Sequence, residues 1–513
     1  MRKNFYVLVL TVFMHFQAKC QENTDSIKFT ITNVGISINT PYDEFCPVIS
    51  ADGSMIAFTS NRPIFDSTIS DEEQTFENIY VSYFNDSLKT WTKAKMLGKT
   101  INQPGKNNSL IALSNDGQRI LMYRGDPDGN IYESDLKGDE WSEPFKLPEP
   151  VNSSKQESSA SISPDGRTIY FVSNRKGGQG GLDIWQCRQD INGNWGKAEN
   201  LGPEINTPQD EEGVFIHPDG KTLYFSSKGH NSKGGYDVFN SVLENGKWSK
   251  PVSLGDSINT TKDDLYFVVT ADGKTGYYSS VRPGGIGKKD IYEIAFTYLK
   301  KKKSEPHLTL FKGIVLDYDT FEPLGADIEV LDNDKKEIIT RVKANSVTGR
   351  FLLSLPAGKN YGIGVKRKGY LFYPENFNIP DTSVYKVIDK HITLEKIKLK
   401  NTTILNYLLF EDDKATLLPG AESQLNQIIQ ILILNNEIKV EIDSYTDNVG
   451  SDESNLKLSQ ARAKALVNFF IEAGVSKLQL KAVGYGQSDP IAPNNTQDGR
   501  RINQRTKFKA FNK

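Results

Sequence analysis

The sequence predicts a multidomain, mostly β chain: an all-β propeller over 27–297, a small β-sandwich over 308–397 and a C-terminal α+β domain over 401–513. Three observations carry that prediction. One strand–turn–strand unit recurs five times, with Asp-Gly at 52, 116, 165, 219 and 272. Period-two alternation broken by Gly and Pro continues through the middle of the chain. From Thr402 the apolar spacing turns helical in two stretches. At about 150 residues per domain, 513 residues suit three or four domains. The composition, 37% hydrophobic and 25% charged, belongs to folded rather than disordered chains. A formal net charge of −2 supplies no global basic field to hold nucleic acid.

Residues 1–20 read as an export signal. Arg2 and Lys3 precede an apolar run from Phe5 to Phe16 that is too short to span a bilayer as a helix. Ala18-Lys19-Cys20 fits cleavage after Cys20. The lipoprotein alternative makes Cys20 the lipidated residue, although Lys19 stands where such signals carry a small one. No later segment is long and apolar enough to cross a membrane. Cys46 and Cys187, far apart in the chain, give no disulfide framework and read as small buried residues.

The repeats come next. "PVISADGSMIAFTSNR" (47–62), "IALSNDGQRILMYRG" (111–125), "ASISPDGRTIYFVSNR" (160–175), "VFIHPDGKTLYFSSKG" (214–229) and "FVVTADGKTGYYSSVR" (267–282) are each two alternating strands around Asp-Gly. Asp-Gly is expected to make a two-residue hairpin turn with φ > 0 at both central residues. A third strand follows each pair, such as "NIYVSYF" (78–84) and "YDVFNSV" (236–242), and then a Trp-containing strand. Four short strands at a period near fifty describe a propeller blade. The fifth repeat lacks its fourth strand, and the N-terminal stretch 31–45 is a candidate to supply it and close the ring. Five blades are expected, with six as the alternative. Gly220-Lys221-Thr222 and Gly273-Lys274-Thr275 lack the earlier glycine of a phosphate loop and sit in hairpin turns. Residues 126–131 nearly open a calcium loop, but Ile131 stands where glycine is needed. His217, before Pro218, reads as a structural turn residue.

Through Ser-x-Asp-Gly-x-x-(Ile/Leu)-x-(Phe/Tyr)-x-Ser, residues 30–297 resemble the TolB-like, WD-repeat-like propeller family. The lysine-rich stretch 298–307 reads as a solvated linker. Beyond it, Lys-Gly-x-Val-x-Asp, Pro323-Leu324-x-Ala326, Thr-Gly-x-Phe and Leu-Pro-x-Gly-x-x-Tyr resemble the carboxypeptidase-regulatory, transthyretin-like family. That resemblance implies a spacer or interaction module.

In the last segment, 403–410 and 438–444 read as strands, 420–436 and 455–473 as helices, and 478–486 and 505–511 as further strands. Thr446, Asp447 and Asn448 fall between a strand and a helix start, where free N–H groups attract anions. Asp447 adds a negative point, and Arg462, fifteen positions on, offers a two-pronged donor for a carboxylate. Both signs together suit a ligand carrying both. The bland alternative is a capped turn with one surface ion pair.

Thr-Asp-Asn-x-Gly at 446–450, Asn-x-x-Leu-Ser-x-x-Arg-Ala at 455–463, Gly-Tyr-Gly at 484–486 and Asn-x-Thr-x-x-Gly-Arg-x-x-Asn at 494–503 together resemble the OmpA-like peptidoglycan-binding domain. The resemblance implies that Asp447 takes the ammonium and Arg462 the carboxylate of diaminopimelate in the wall peptide. Thr446, Asn448, Asn455 and Asn503 are implied as supporting contacts. Two departures stand out: Ser444-Tyr445 where the family has Gly-His, and Gln504 where it has the first of two arginines.

The order of the three parts resembles envelope proteins of Bacteroidetes-type bacteria, some of which anchor type IX secretion and gliding machinery. The expectation is a non-enzymatic, periplasmic, outer-membrane-associated protein. It is expected to anchor to peptidoglycan and to hold outer-membrane or periplasmic proteins through the propeller, with no nucleic acid, cofactor or metal. Its membrane association would run through partners or a lipid at Cys20. One alternative is a propeller that binds sugar or peptide in its channel. The other is a wall-anchored hydrolase, although His217, His230, His307 and His391 sit in no His-Glu-x-x-His motif and no Gly-x-Ser-x-Gly occurs.

Overall fold

The computed structural model describes residues 27–63, 76–124, 129–190, 192–298, 306–397, 402–405, 410–411, 413–418 and 421–511. The expected export signal with Cys20, and most of the stretch 298–307 expected as a linker, lie outside the described residues, as does part of the 126–131 turn.

The repeat pattern produces five sheets among the described residues. Each begins with a short, mostly buried strand: Glu44–Ile49, Asn108–Leu113, Glu157–Ile162, Glu211–Ile216 or Leu265–Val269. These five strands touch in chain order, and the last touches the first. Each carries a register irregularity where it pairs with the second strand of its sheet. Hydrophobic clusters fill the space between neighbouring sheets. The fifth sheet is completed by Ile27–Asn33, which runs antiparallel to Asp290–Tyr298. Cys46 and Cys187 are free and buried in this region.

The Asp-Gly turns differ from the expected two-residue type. Only the glycine has positive φ, for example +71° at Gly53 and +67° at Gly273. The Gly53 N–H donates to the Ser50 carbonyl (2.9 Å), and the Gly273 N–H donates likewise to Thr270 (2.8 Å). The turn is therefore a type I turn ending in a left-handed glycine. The reason lies two residues before the Asp: the Ser50 and Thr270 hydroxyls donate to Asp52 (3.0 Å) and Asp272 (2.6 Å), which favours the longer turn. At His217 the ring Nδ1 plays the acceptor, taking the Asp219 N–H at 3.1 Å.

A buried asparagine ties each connecting loop to the third strand of a sheet. Asn206 accepts from the Ile184 N–H (2.7 Å) and donates to the Ile184 carbonyl (2.9 Å). Asn102 does the same at Ile79, Asn152 at Ile131 and Asn259 at Val238. Asn39 does it at Ile291, joining the N-terminal loop to the fifth sheet. Each amide gives the strand N–H its partner and shares the strand carbonyl with a backbone N–H of the connecting loop.

The 308–394 region forms a three-stranded and a four-stranded sheet around one apolar core. It lies against the Asp-Gly turns of the ring. Leu308, Leu310 and Leu352 cluster with Ala51 and Ala271. Lys312 pairs with Asp52 at 3.1 Å, Thr340 donates to the Asp165 carbonyl at 2.7 Å, and Asn345 donates to the Gly138 carbonyl at 2.7 Å. On its far side, the Gly369 N–H donates to Asn435 of the C-terminal part at 2.6 Å.

That last part is α+β. Its sheet runs in the order Thr402–Leu405, Thr506–Phe511, Lys439–Ser444, Leu480–Gly484, with the last pair parallel. Helices α1 (Ala421–Leu434) and α2 (Asp452–Glu472) frame one core with it. Helix α2 begins three residues before the apolar spacing suggests, because Ser451 caps it by accepting the Ser454 N–H. A short α3 (Gln497–Asn503) was not predicted, since its sequence has no apolar period.

Asn206→Ala is expected to cost about 1–3 kcal/mol, because the buried Ile184 N–H loses its partner while the Ile184 carbonyl keeps the Leu201 N–H. Urea unfolding followed by the fluorescence of the adjacent Trp185 measures it.

Candidate functional site

The site is built where three strands end. The strand Lys439–Ser444 runs out into Tyr445, Thr446 and Asp447, all buried, and then Asn448, which is exposed. The Tyr445 N–H donates to the Arg505 carbonyl and the Thr446 N–H to the Gly486 carbonyl, so the loop is bonded to both neighbouring strand ends. Helix α2 crosses these ends closely. A Cβ at Gly484 would lie 2.3 Å from the Gln460 nitrogen, so only glycine admits the helix there. The Gly486 N–H then donates to the Ser459 hydroxyl on the helix at 2.8 Å.

Asp447 is 8% exposed. Its Oδ1 accepts from the Val449 N–H at 2.9 Å, and its Oδ2 accepts from the Gln504 amide at 2.8 Å. Both donors are neutral, and Asp447 has no ion-pair partner among the described residues. Arg462 is buried on α2. Its Nε donates to the Lys414 carbonyl (2.8 Å), its Nη2 donates to the Glu411 carbonyl (3.1 Å), and its plane lies over Phe410. The opening segment 410–418 therefore fixes the guanidinium.

The other four predicted residues divide. Thr446 is buried and its hydroxyl donates to the Asp447 carbonyl. Asn455, at the start of α2, donates to Gln487 at 3.2 Å. Asn503 is 1% exposed and fully engaged: it accepts from the Ile491 and Ala492 N–H groups and donates to the Ala492 carbonyl and the Asn494 side chain. It holds the 491–494 loop. Asn448 alone has an exposed side chain.

Two features went unread in the sequence. Gln504 bonds directly to Asp447 across 57 positions; its only sequence signal was a neutral residue in place of an arginine. Tyr445 is packed between Tyr485 (5.0 Å, nearly parallel) and the Arg505 guanidinium (3.8 Å). Arg505 donates to the Asp489 and Asn503 carbonyls, which draws it onto the tyrosine face. Burial pushes the Tyr445 hydroxyl up to about 12, so it stays neutral. Beneath the loop, burial and then the charge of Glu441 push Asp443 up to about 6.

Among the described residues no group of three or more metal-ligating side chains comes together, and no helix is long and apolar enough to cross a membrane. Residues 409–504 match the model of the OmpA family. The C-terminal part of the chain is an OmpA domain. The chain is 37% identical over 92 residues to a photosystem I P700 chlorophyll a apoprotein A2 of Gloeobacter violaceus, covering 18% of this chain and 11% of that protein. It is 36% identical over 101 residues to the peptidoglycan-binding protein ArfA of Mycobacterium tuberculosis, covering 20% of this chain and 31% of ArfA. Among solved structures, the peptidoglycan-associated lipoprotein of Burkholderia pseudomallei is 27% identical, with a TM-score of 0.20, covering 20% of this chain and 87% of that one. The chain thus spans less than a third of the two sequence relatives.

Because the folded Asp443 holds its proton up to about pH 6 while an unfolded aspartate releases it near 4, the folded state is favoured at low pH. Raising the pH from 4.5 to 7.5 should therefore cost this domain about 2 kcal/mol relative to Asp443→Asn. Amide-exchange protection of residues 439–444, compared between the two proteins at each pH, measures it.

Proposed function

We propose that the chain is a non-enzymatic cell-envelope protein that anchors to peptidoglycan through its OmpA domain. The observation that carries this reading is the buried Asp447 carboxylate, held in place by neutral donors within a segment of OmpA family character. A carboxylate removed from water without a counter-charge is costly, and a ligand ammonium relieves the cost. Asp447 takes the ammonium of the diaminopimelate residue of the wall peptide, and Arg462 takes its carboxylate. Thr446 and Asn455 hold the loop and the helix start, Asn503 fixes the 491–494 rim, and Asn448 contacts the ligand from the exposed edge. That ArfA is a peptidoglycan-binding protein supports the ligand class. With the export signal, the OmpA domain supports a periplasmic, outer-membrane-associated location.

The five sheets are read as a five-bladed propeller and the 308–394 sheet pair as a carboxypeptidase-regulatory-like module. Their role is that of a scaffold for outer-membrane or periplasmic proteins, a secretion-related complex of the type IX kind among them. The channel-ligand alternative has little room: the cavity between the first strands, bounded by Cys46, Ile111, Ser159, Gly213 and Tyr266, is ≈ 20 Å³. That holds about one water, whereas small-molecule pockets run to about 300 Å³ and more. Access from the Asp-Gly turns is further restricted by the sheet pair docked there. These features favour a protein held on the outer surfaces of the ring over a ligand held inside it.

Sedimentation of the full chain with diaminopimelate-type sacculi tests the anchor. The wild type should co-sediment, Asp447→Ala should weaken binding by about 10-fold or more, and Arg462→Ala should weaken it by about 3-fold. Unchanged sedimentation of both variants would refute this site, and release of soluble wall fragments would point instead to a hydrolase.

A further inference from the structure

The side chain beside Asp447 decides which half of a two-signed ligand matters most. Gln504 donates to Asp447 Oδ2 at 2.8 Å and orients the carboxylate without neutralising it. The neighbouring base that could have neutralised it is committed elsewhere: Arg505 is buried, stacked on Tyr445 and bonded to the Asp489 and Asn503 carbonyls. The next bases along, Arg500 and Arg501, lie on α3, and the Arg500 guanidinium donates to the Asn494 carbonyl. Neither forms an ion pair with Asp447. A buried carboxylate with two neutral donors has acceptor capacity left on both oxygens and a full charge uncompensated. The Gln504 amide also carries a carbonyl oxygen, so a primary ammonium arriving at Asp447 meets two acceptors and no competing cation.

Arg462 is in a different position. Two of its donors are spent on the Lys414 and Glu411 carbonyls, and its plane is covered by Phe410. A carboxylate approaching it therefore competes with bonds the guanidinium already makes, whereas an ammonium approaching Asp447 displaces no charged partner.

We propose that Gln504 is the specificity-determining residue of this site: by keeping Asp447 uncompensated, it makes a free side-chain ammonium the group that the site chiefly selects. The inference rests on the wall-binding reading above. It extends the ligand class from diaminopimelate to wall peptides whose third residue is a basic amino acid lacking the second carboxylate, such as lysine. An arginine at position 504 would pair with Asp447 and make the ligand ammonium compete for it.

The test uses the full chain and three soluble muropeptides: the diaminopimelate tripeptide, the same tripeptide with its side-chain amine acetylated, and the lysine tripeptide. Titration calorimetry of wild type should show acetylation weakening binding by about 30-fold and replacement by lysine by less than about 5-fold, since a charge-assisted hydrogen bond is the larger loss. In Gln504→Arg, the acetylation penalty should shrink to about 3-fold or less and the lysine tripeptide should be discriminated against. Gln504→Leu removes the donor without adding charge and should keep the large acetylation penalty, which separates charge from packing should the arginine variant fold poorly. Equal penalties for acetylation and for the missing carboxylate in wild type would overturn this inference while leaving wall binding intact. So would an unchanged acetylation penalty in a folded Gln504→Arg. Failure of wild type to bind any of the three muropeptides or whole sacculi would overturn the wall-binding reading and this inference with it.

Discussion

The close approach of helix α2 to the ends of three strands is the constraint on which the C-terminal site depends. Gly484 lets the helix backbone come within a distance that any side chain would forbid, and Ser459 on the helix then bonds the next turn of loop at Gly486. With the helix fixed there, Asn455 at its start meets Gln487, and Arg462, two turns further on, meets the carbonyls of the 411–414 segment. The loop carrying Asp447 is bonded to the strand ends on both sides. The two charged residues thus owe their positions to different elements, a loop and a helix, and the glycine contact is what lets those elements pack together.

The larger part of the chain is organised by another repeated device. A buried asparagine closes each connecting loop onto a third strand by giving and taking one hydrogen bond at the same residue. At Asn39 the two partners are 252 positions apart, so that clasp joins the N-terminal loop to the last sheet beside the pairing of Ile27–Asn33. This pairing covers the edge of Asp290–Tyr298 and makes Ile27–Asn33 the outer strand of the fifth sheet. The sheet pair at 308–394 then covers the Asp-Gly turns through polar contacts from Lys312, Thr340 and Asn345 around a small apolar cluster.

What could be read in the sequence follows the range of the interactions involved. Alternation and the Ser-x-Asp-Gly signature are local, so the strand pairs around each turn were legible. The turn type was not, because it is set by the hydroxyl two positions before the aspartate rather than by the Asp-Gly pair itself. The apolar spacing of α2 marked its body, but its first turn is Asp452-Glu453-Ser454, which carries a cap and no apolar period. The short α3 has the same defect throughout. The OmpA signature was legible from its motifs, and with it Asp447 and Arg462 as candidates. The Gln504–Asp447 bond and the Tyr445–Arg505 stack span 57 and 60 positions and have no local period, so no spacing argument could find them.

Asp447 and Asp443 are two buried acids in one short segment, and their surroundings set them apart. Asp443 lies within the strand, close to the charge of Glu441, and holds its proton to about pH 6. It escapes the cost of a buried charge by being partly neutral near neutral pH. Asp447 sits three residues beyond the Ser444 strand end, at the loop, where a backbone N–H and the Gln504 amide both bond its carboxylate oxygens. The loop position thus holds its carboxylate with two neutral donors and no counter-charge among the described residues. A domain selected only for stability would pair Asp447 with a cation, or replace it. Instead the arginine at 505 is spent on Tyr445, and the carboxylate is left with neutral partners. Stability forgone at one buried group is what leaves that group able to bind a cation from outside.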